Sequence, residues 1–448
     1  MQKPLPVSRN FGPMRVRHLV CGLVLLGTLA ACRKEKADDQ APSVSFLLPG
    51  DGAQVTIPDT LAIQVQVVDD RKVANVSVQL LDPEGIPIVN VASTTVNAAS
   101  ATINAALVLL SEQLSSGAYT LQARASDGTN DGFAFRTIQV QAAPWRLRAV
   151  YITSPLGDPG TATLSRIDSV GQLDTWSLGS EVGGAAMDPA TQRLFTSGIT
   201  QAPLQAYPVG PGATAWSVPN LHSGSGTAPY FLGLRVDPVD GRLYTGTEDG
   251  RIRGWTTTGT STLVAQVPAG RRSEATAVVG DKVVSEHVEV AGGARSLATH
   301  SYSAGALLQQ FTLDIDVLEM HQRTGSYALV FGNRNEDGVV QDRQVELGGN
   351  FEVRTFPGAP LRAVAQVNAT TYFLAHGDRV SRWTYSTDDL STLITGVEAD
   401  ALAYDPASGV LFIGIGNTVE ARDPLTGALV YSRSLPHPVG SILPLRNR

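Results

Sequence analysis

Three segments of the chain share one spelling: Asp188-Pro-Ala-Thr-Gln-Arg-Leu-Phe195, Asp237-Pro-Val-Asp-Gly-Arg-Leu-Tyr244 and Asp405-Pro-Ala-Ser-Gly-Val-Leu-Phe412. Each reads as the end of a strand, an Asp-Pro turn and the start of the next strand, because Pro presets the turn and Asp satisfies its amides. The first two copies begin 49 residues apart and the second and third 168, which is four steps of about 42. A repeated strand unit of that length cannot bury its apolar face alone. It must stack on its neighbours, and four-stranded units stacked in this way close into a ring.

The apolar second strand of each unit appears seven times, at Val150-Tyr-Ile, Leu194-Phe, Leu243-Tyr, Val283-Val, Ala328-Leu-Val, Tyr372-Phe-Leu and Leu411-Phe-Ile. Seven strand pairs imply seven blades. Ala143 to Arg146 is too short to supply the inner strand that should precede Val150, whereas Val439-Gly-Ser-Ile-Leu-Pro-Leu445 at the other end of the chain can supply it. A ring closed by a strand from the opposite terminus leaves few open edges. The expected fold is therefore all-β, with a seven-bladed propeller over 145–448. Trp176, Trp216, Trp255 and Trp383 fall at related positions on outer hairpins and read as blade packing.

Upstream the pattern changes. From 42 to 142 apolar and polar residues alternate in short runs, such as Leu61, Ile63, Val65, Val67 and then Val76, Val78, Leu80, the period of half-buried strands. Before them, an apolar run from Leu19 follows Arg9, Arg15 and Arg17 and ends in Leu29-Ala-Ala-Cys32. It is too short to span a bilayer as a helix and reads as a processing signal over 1–31. Residues 33–40 carry no apolar side chain larger than Ala, and 32–41 are expected to form a flexible tether. Both cysteines, Cys21 and Cys32, lie in the signal or at its end, so disulfides and cysteine metal sites are excluded from the folded part. The whole chain has a formal charge of −7; loss of residues 1–31, with four basic residues and no acid, takes it to −11. Such a surface argues against nucleic acid as a partner.

Leu29-Ala-Ala-Cys32 resembles the recognition box of bacterial lipoprotein signal peptides, which implies lipidation of Cys32 and attachment to a membrane through that anchor. Arg33 rather than Asp after the cysteine resembles the outer-membrane sorting pattern, implying an outer-membrane lipoprotein facing the periplasm or the cell surface. The stretch Val44-Ser-Phe-Leu-Leu-Pro-Gly-Asp-Gly-Ala53, the strand end Val67-Val-Asp-Asp70 and Gly117-Ala-Tyr-Thr-Leu-Gln-Ala-Arg-Ala-Ser-Asp-Gly128 resemble bacterial Ig-like domains, implying an Ig-like β-sandwich over 42–142. The repeats resemble seven-bladed propellers of the WD40, YVTN and quinoprotein type. Only Val419-Glu-Ala-Arg-Asp-Pro-Leu-Thr-Gly-Ala-Leu-Val430 resembles the quinoprotein blade signature, and Tyr431 stands where its tryptophan belongs, so no quinone is implied.

No nucleophile elbow, zinc helix or phosphate loop is present in the sequence. Asn333-Arg-Asn-Glu-Asp-Gly338 with Asp342 is loosely ordered like a calcium loop, but Gln344 replaces the closing carboxylate and a hairpin turn is the simpler reading. If all inner strands run the same way, the loops that lead into them and those that leave the second strands share one face. That placement gathers His222, Arg271, Arg272, Glu274, His287, Asp316, His376, Asp400 and His437 as candidate binding residues. Glu274, Asp316 and Asp400 resemble the converging acids of calcium-dependent propeller lactonases, with a solvated rim as the plainer alternative. Paired acids in the first domain, Asp69 with Asp70 and Asp127 with Asp131, suit turns as well as calcium. Three readings follow. The first is a non-enzymatic cell-envelope lipoprotein, without cofactor, whose propeller is a scaffold for an envelope or secreted protein. The second is a binder of surface glycans or small ligands, which predicts clustered exposed aromatics on one face. The third is a divalent-metal-dependent hydrolase or lactonase.

Overall fold

The computed structural model describes residues 38–157, 160–209, 213–224 and 229–448. The processing signal, Cys32 and most of the tether lie outside the described residues. Contacts divide the chain into two units, Met1–Ala143 and Pro144–Arg448. Among the described residues there is no α-helix, and hence none long and apolar enough to cross a membrane.

The first unit is an Ig-like domain of six strands: β1 (Ser43–Leu48), β2 (Ala53–Thr56), β3 (Asp59–Leu81), β4 (Pro87–Leu109), β5 (Gly117–Ser126) and β6 (Asp131–Gln141). Their order is β1-β3-β5-β6-β2, with β4 paired to β3 alone and β2 parallel to β6. The two apolar runs around Leu61 and Val76 are halves of one strand, β3. The first half pairs with β1 and the second with β5, and the register jumps between Val68 and Val73 where the strand bends. Asp69 makes the bend: its Oδ1 accepts the amides of Arg71 at 2.9 Å and Lys72 at 2.6 Å. Ile63, Val65, Val67, Val76, Val78 and Leu80 all face one core with Leu107, Leu121 and Ile138, each worth about 1.5–3 kcal/mol on full burial.

The second unit is a seven-bladed propeller. Each blade is a four-stranded antiparallel sheet, and the inner strands of blades 1 to 7 are Gly184–Asp188, Phe231–Val236, Arg271–Val279, Asp316–Thr324, Leu361–Asn368, Ala401–Asp405 and Ser441–Arg446. The last pairs with Leu147–Thr153, so the C-terminal strand closes the ring as the sequence implies. The closure is fastened at both ends: Thr153 Oγ1 meets Ser441 Oγ at 2.9 Å, and the Asn447 amide accepts from Arg146 N and donates to Pro144 O, each at 3.0 Å.

There is no single core. Seven apolar seams lie one between each pair of neighbouring blades, for example Phe195 and Leu204 against Phe231 and Trp255, and Phe412 and Val419 against Val150 and Ile152. Since each blade packs on both faces, its second strand is buried along most of its length. Trp383 is fully buried in the third strand of blade 5, its indole N–H donating to Asp388 at 2.9 Å. The repeated aspartates cap the turn between first and second strands. Asp188 Oδ1 accepts Ala190 N, Asp405 Oδ2 accepts Ser408 N, and Asp237 accepts Val239 N and, across the seam, Val278 N of the next blade.

Candidate functional site

The inner strands surround a central cavity of about 430 Å³ whose lining includes Gly184, Arg235, Glu274, Glu319, Arg362 and Asp400. Arg235 leaves the inner strand of blade 2, passes blade 3 and donates to Met320 O of blade 4 at 2.7 Å. Its guanidinium also lies 3.7 Å from Glu319 and 3.8 Å from Asp237, so this side chain spans the channel between non-adjacent blades.

Beside the mouth, three carboxylates converge. Oxygens of Glu274, Glu286 and Asp316 lie within 4.8 Å of one another. Arg295 occupies the cluster: its Nη1 is 2.5 Å from Glu286, 3.0 Å from Asp316 and 3.5 Å from Glu274, while Arg272 Nε donates to Glu274 at 2.7 Å. Glu286 is fully buried behind this guanidinium, and burial pushes its carboxyl up to about 7 against the pull of Arg295. Asp400 does not join the cluster. Its Oδ2 accepts Gly416 N at 3.0 Å on the rim of blade 6, so the triad of Glu274, Asp316 and Asp400 expected from sequence is not assembled.

The other candidates separate into rim and interior. His222 holds Glu248 at 2.8 Å, and Glu248 also accepts from Ser223. Arg271 donates to Ser296 Oγ at 2.7 Å. His287, expected on the face, is fully buried inside blade 3, 3.2 Å from the equally buried His300, and burial depresses it to about 3. His376 is buried against Phe356, with Nε2 2.9 Å from Ser381 Oγ. His437 is buried too, with Nε2 2.9 Å from Ser165 Oγ. These three imidazoles fasten strands and are not presented to a partner. The calcium-like loop is a hairpin, in which Asn333 exchanges two hydrogen bonds with the backbone of Leu361 in the next blade. Asp127 caps its own turn, and Asp131 is held 2.7 Å from Arg124. Oxygens of Asp38, Asp69 and Asp70 lie within 4.8 Å, with Arg71 3.6 Å from Asp38. Sequence reasoning missed Glu286 and Arg295 because nothing in an alternating strand marks which polar residues meet across it.

Fold and site together define an all-β protein with an Ig-like domain followed by a propeller whose channel mouth is ringed by paired charges. Residues 42–123 match the family described as bacterial Ig domain. No curated protein matches the chain. Among solved structures, BamB from Moraxella catarrhalis is similar over 56% of this chain and 72% of its own, at 13% identity and a TM-score of 0.37. A chain of the Mitotic Checkpoint Complex is similar over 59% of this chain and 86% of its own, at 11% identity and a TM-score of 0.42. The fold assignment rests on the strand order given above rather than on these likenesses.

Proposed function

We propose that this protein is an outer-membrane lipoprotein, anchored through Cys32, whose propeller is a non-enzymatic platform for a protein partner at the face around the channel mouth. The observation that supports the reading is Arg295. By sitting among Glu274, Glu286 and Asp316, its guanidinium takes the place a divalent ion would need and, with Arg272 on Glu274, holds the rim carboxylates in fixed geometry. Arg362 and Glu398, 2.8 Å apart on the same rim, extend the pattern. Fixed charges of both signs set register and partner choice more than they set affinity. The anchor rests on Leu29-Ala-Ala-Cys32, since stable attachment needs more than one chain and lipoprotein processing supplies them.

The test has two arms. Labelled palmitate should enter the native protein and not Cys32→Ser, which should leave the membrane fraction. Brief cross-linking and mild-detergent purification should yield a stoichiometric envelope protein that Arg362→Glu loses. Recovery of the protein alone, or of a divalent ion retained through dialysis and lost in Glu274→Ala, would turn the assignment toward ligand binding or hydrolysis.

A further inference from the structure

At the opposite end of the blades, between blades 4 and 5, lies an open cleft of about 580 Å³ that the proposed platform does not use. Its lining includes Arg323, Tyr327, Asp342, Phe351, Tyr385 and Ser386. Arg323 lies over two rings, its guanidinium 4.6 Å from the centre of the Tyr327 ring and 4.8 Å from that of Tyr385. One edge is taken by the buried Asp342, which accepts from Nε at 3.1 Å and Nη2 at 3.0 Å and from the Tyr385 hydroxyl at 2.7 Å. Among the described residues that leaves Arg323 Nη1 and the hydroxyls of Tyr327 and Ser386 without a hydrogen-bond partner, beside Phe351, which is 65% exposed.

We propose that this cleft is a saccharide-binding site. A pyranose ring carries an apolar C–H face and a dense rim of hydroxyls. The cleft offers the complement of both: the open Phe351 ring, and a donor edge with two hydroxyls beside it. Arg323 and Asp342 cancel in charge, so the chemistry selects a neutral, hydroxylated ligand and not an anion. Cleft volumes of this size suit small ligands.

An array of neutral, amino and acidic oligosaccharides, followed by titration of the full chain with the binders, tests the site. Tryptophan fluorescence is a convenient signal, because Trp383 lies 6.1 Å from Tyr385. Binding of a neutral saccharide is expected, weakened at least tenfold in Phe351→Ala and severalfold in Tyr327→Phe, with the melting temperature of both variants unchanged. Phe133→Ala, at an exposed aromatic pair in the other unit, should leave binding intact. No binder on the array, binding that survives Phe351→Ala, binding lost only in Phe133→Ala, or preference for a proline-rich peptide would each overturn the proposal. None of these outcomes bears on the partner expected at the channel mouth.

Discussion

Asp237 shows what a repeat preserves at the level of one side chain. Its two oxygens satisfy an amide in its own turn and one in the next blade, so the residue that shapes the turn also registers the seam. His321 shows the opposite economy. It lies in the inner strand of blade 4, with its ring centre 5.5 Å from that of Tyr372 and 5.9 Å from that of Phe331, and among the described residues neither ring nitrogen has a partner in good hydrogen-bond geometry. Burial, with Arg235 adding to it, holds the imidazole down to about 3, and the opposing pull of the Gln366 side chain is too weak to offset it. The unfolded chain therefore binds a proton below about 6.5 that the native chain refuses, and stability is lost as pH falls from there toward 3. The slope for one such group reaches about 1.4 kcal/mol per pH unit. His321→Phe should be neutral or stabilising at pH 7 and should flatten the loss between pH 6.5 and 5, measured by urea unfolding at stepped pH. An acid limb as steep as that of the native chain would contradict this account.

Among elements, the strand Ser441–Arg446 decides whether the propeller exists. It supplies the inner strand of blade 7, and Ile442 sits in the seam with Val150, Ile152 and Phe412. Ending the chain after Pro438 would expose the inner edge of Leu147–Thr153 and open two seams. Such a truncation should give an aggregated or partly folded propeller by size-exclusion chromatography, whereas Ile442→Val should cost only about 1 kcal/mol. This closure was legible in the sequence, as were all seven second strands, because a short linker and a leftover C-terminal strand leave one solution. The faces of those strands were not legible. Alternation assigns a residue to core or solvent only when one face is wet, and here Lys282–Glu289 is buried on both, so Glu286 and His287 are hidden on opposite sides of one blade. The same limit concealed Arg295, whose three acidic partners come from three strands, and the Arg323 cleft, whose parts are scattered from 323 to 386. In the first unit, the bend at Asp69 made one strand look like two.

At the scale of the whole chain, each unit has its own apolar interior. One cluster runs through the Ig-like domain, and seven seams hold the propeller. Units with separate cores unfold separately. Calorimetry should resolve two transitions, and Ile63→Ala should lower one of them, at a cost of about 2–5 kcal/mol, while leaving the other in place. A single transition shifted as a whole by that substitution would show that the units share their stability.

The way the ring is closed also governs how it meets force. Tension arriving along the chain from residue 144 enters the propeller on Leu147–Thr153, which is paired on one side to Ser441–Arg446 and on the other to Thr163–Asp168. Drawn along its own axis, a strand clamped in this way strains both ladders together rather than peeling them bond by bond. The strand pairing that closes the ring is thus also a mechanical latch, set at the first propeller strand that a pull from upstream would reach.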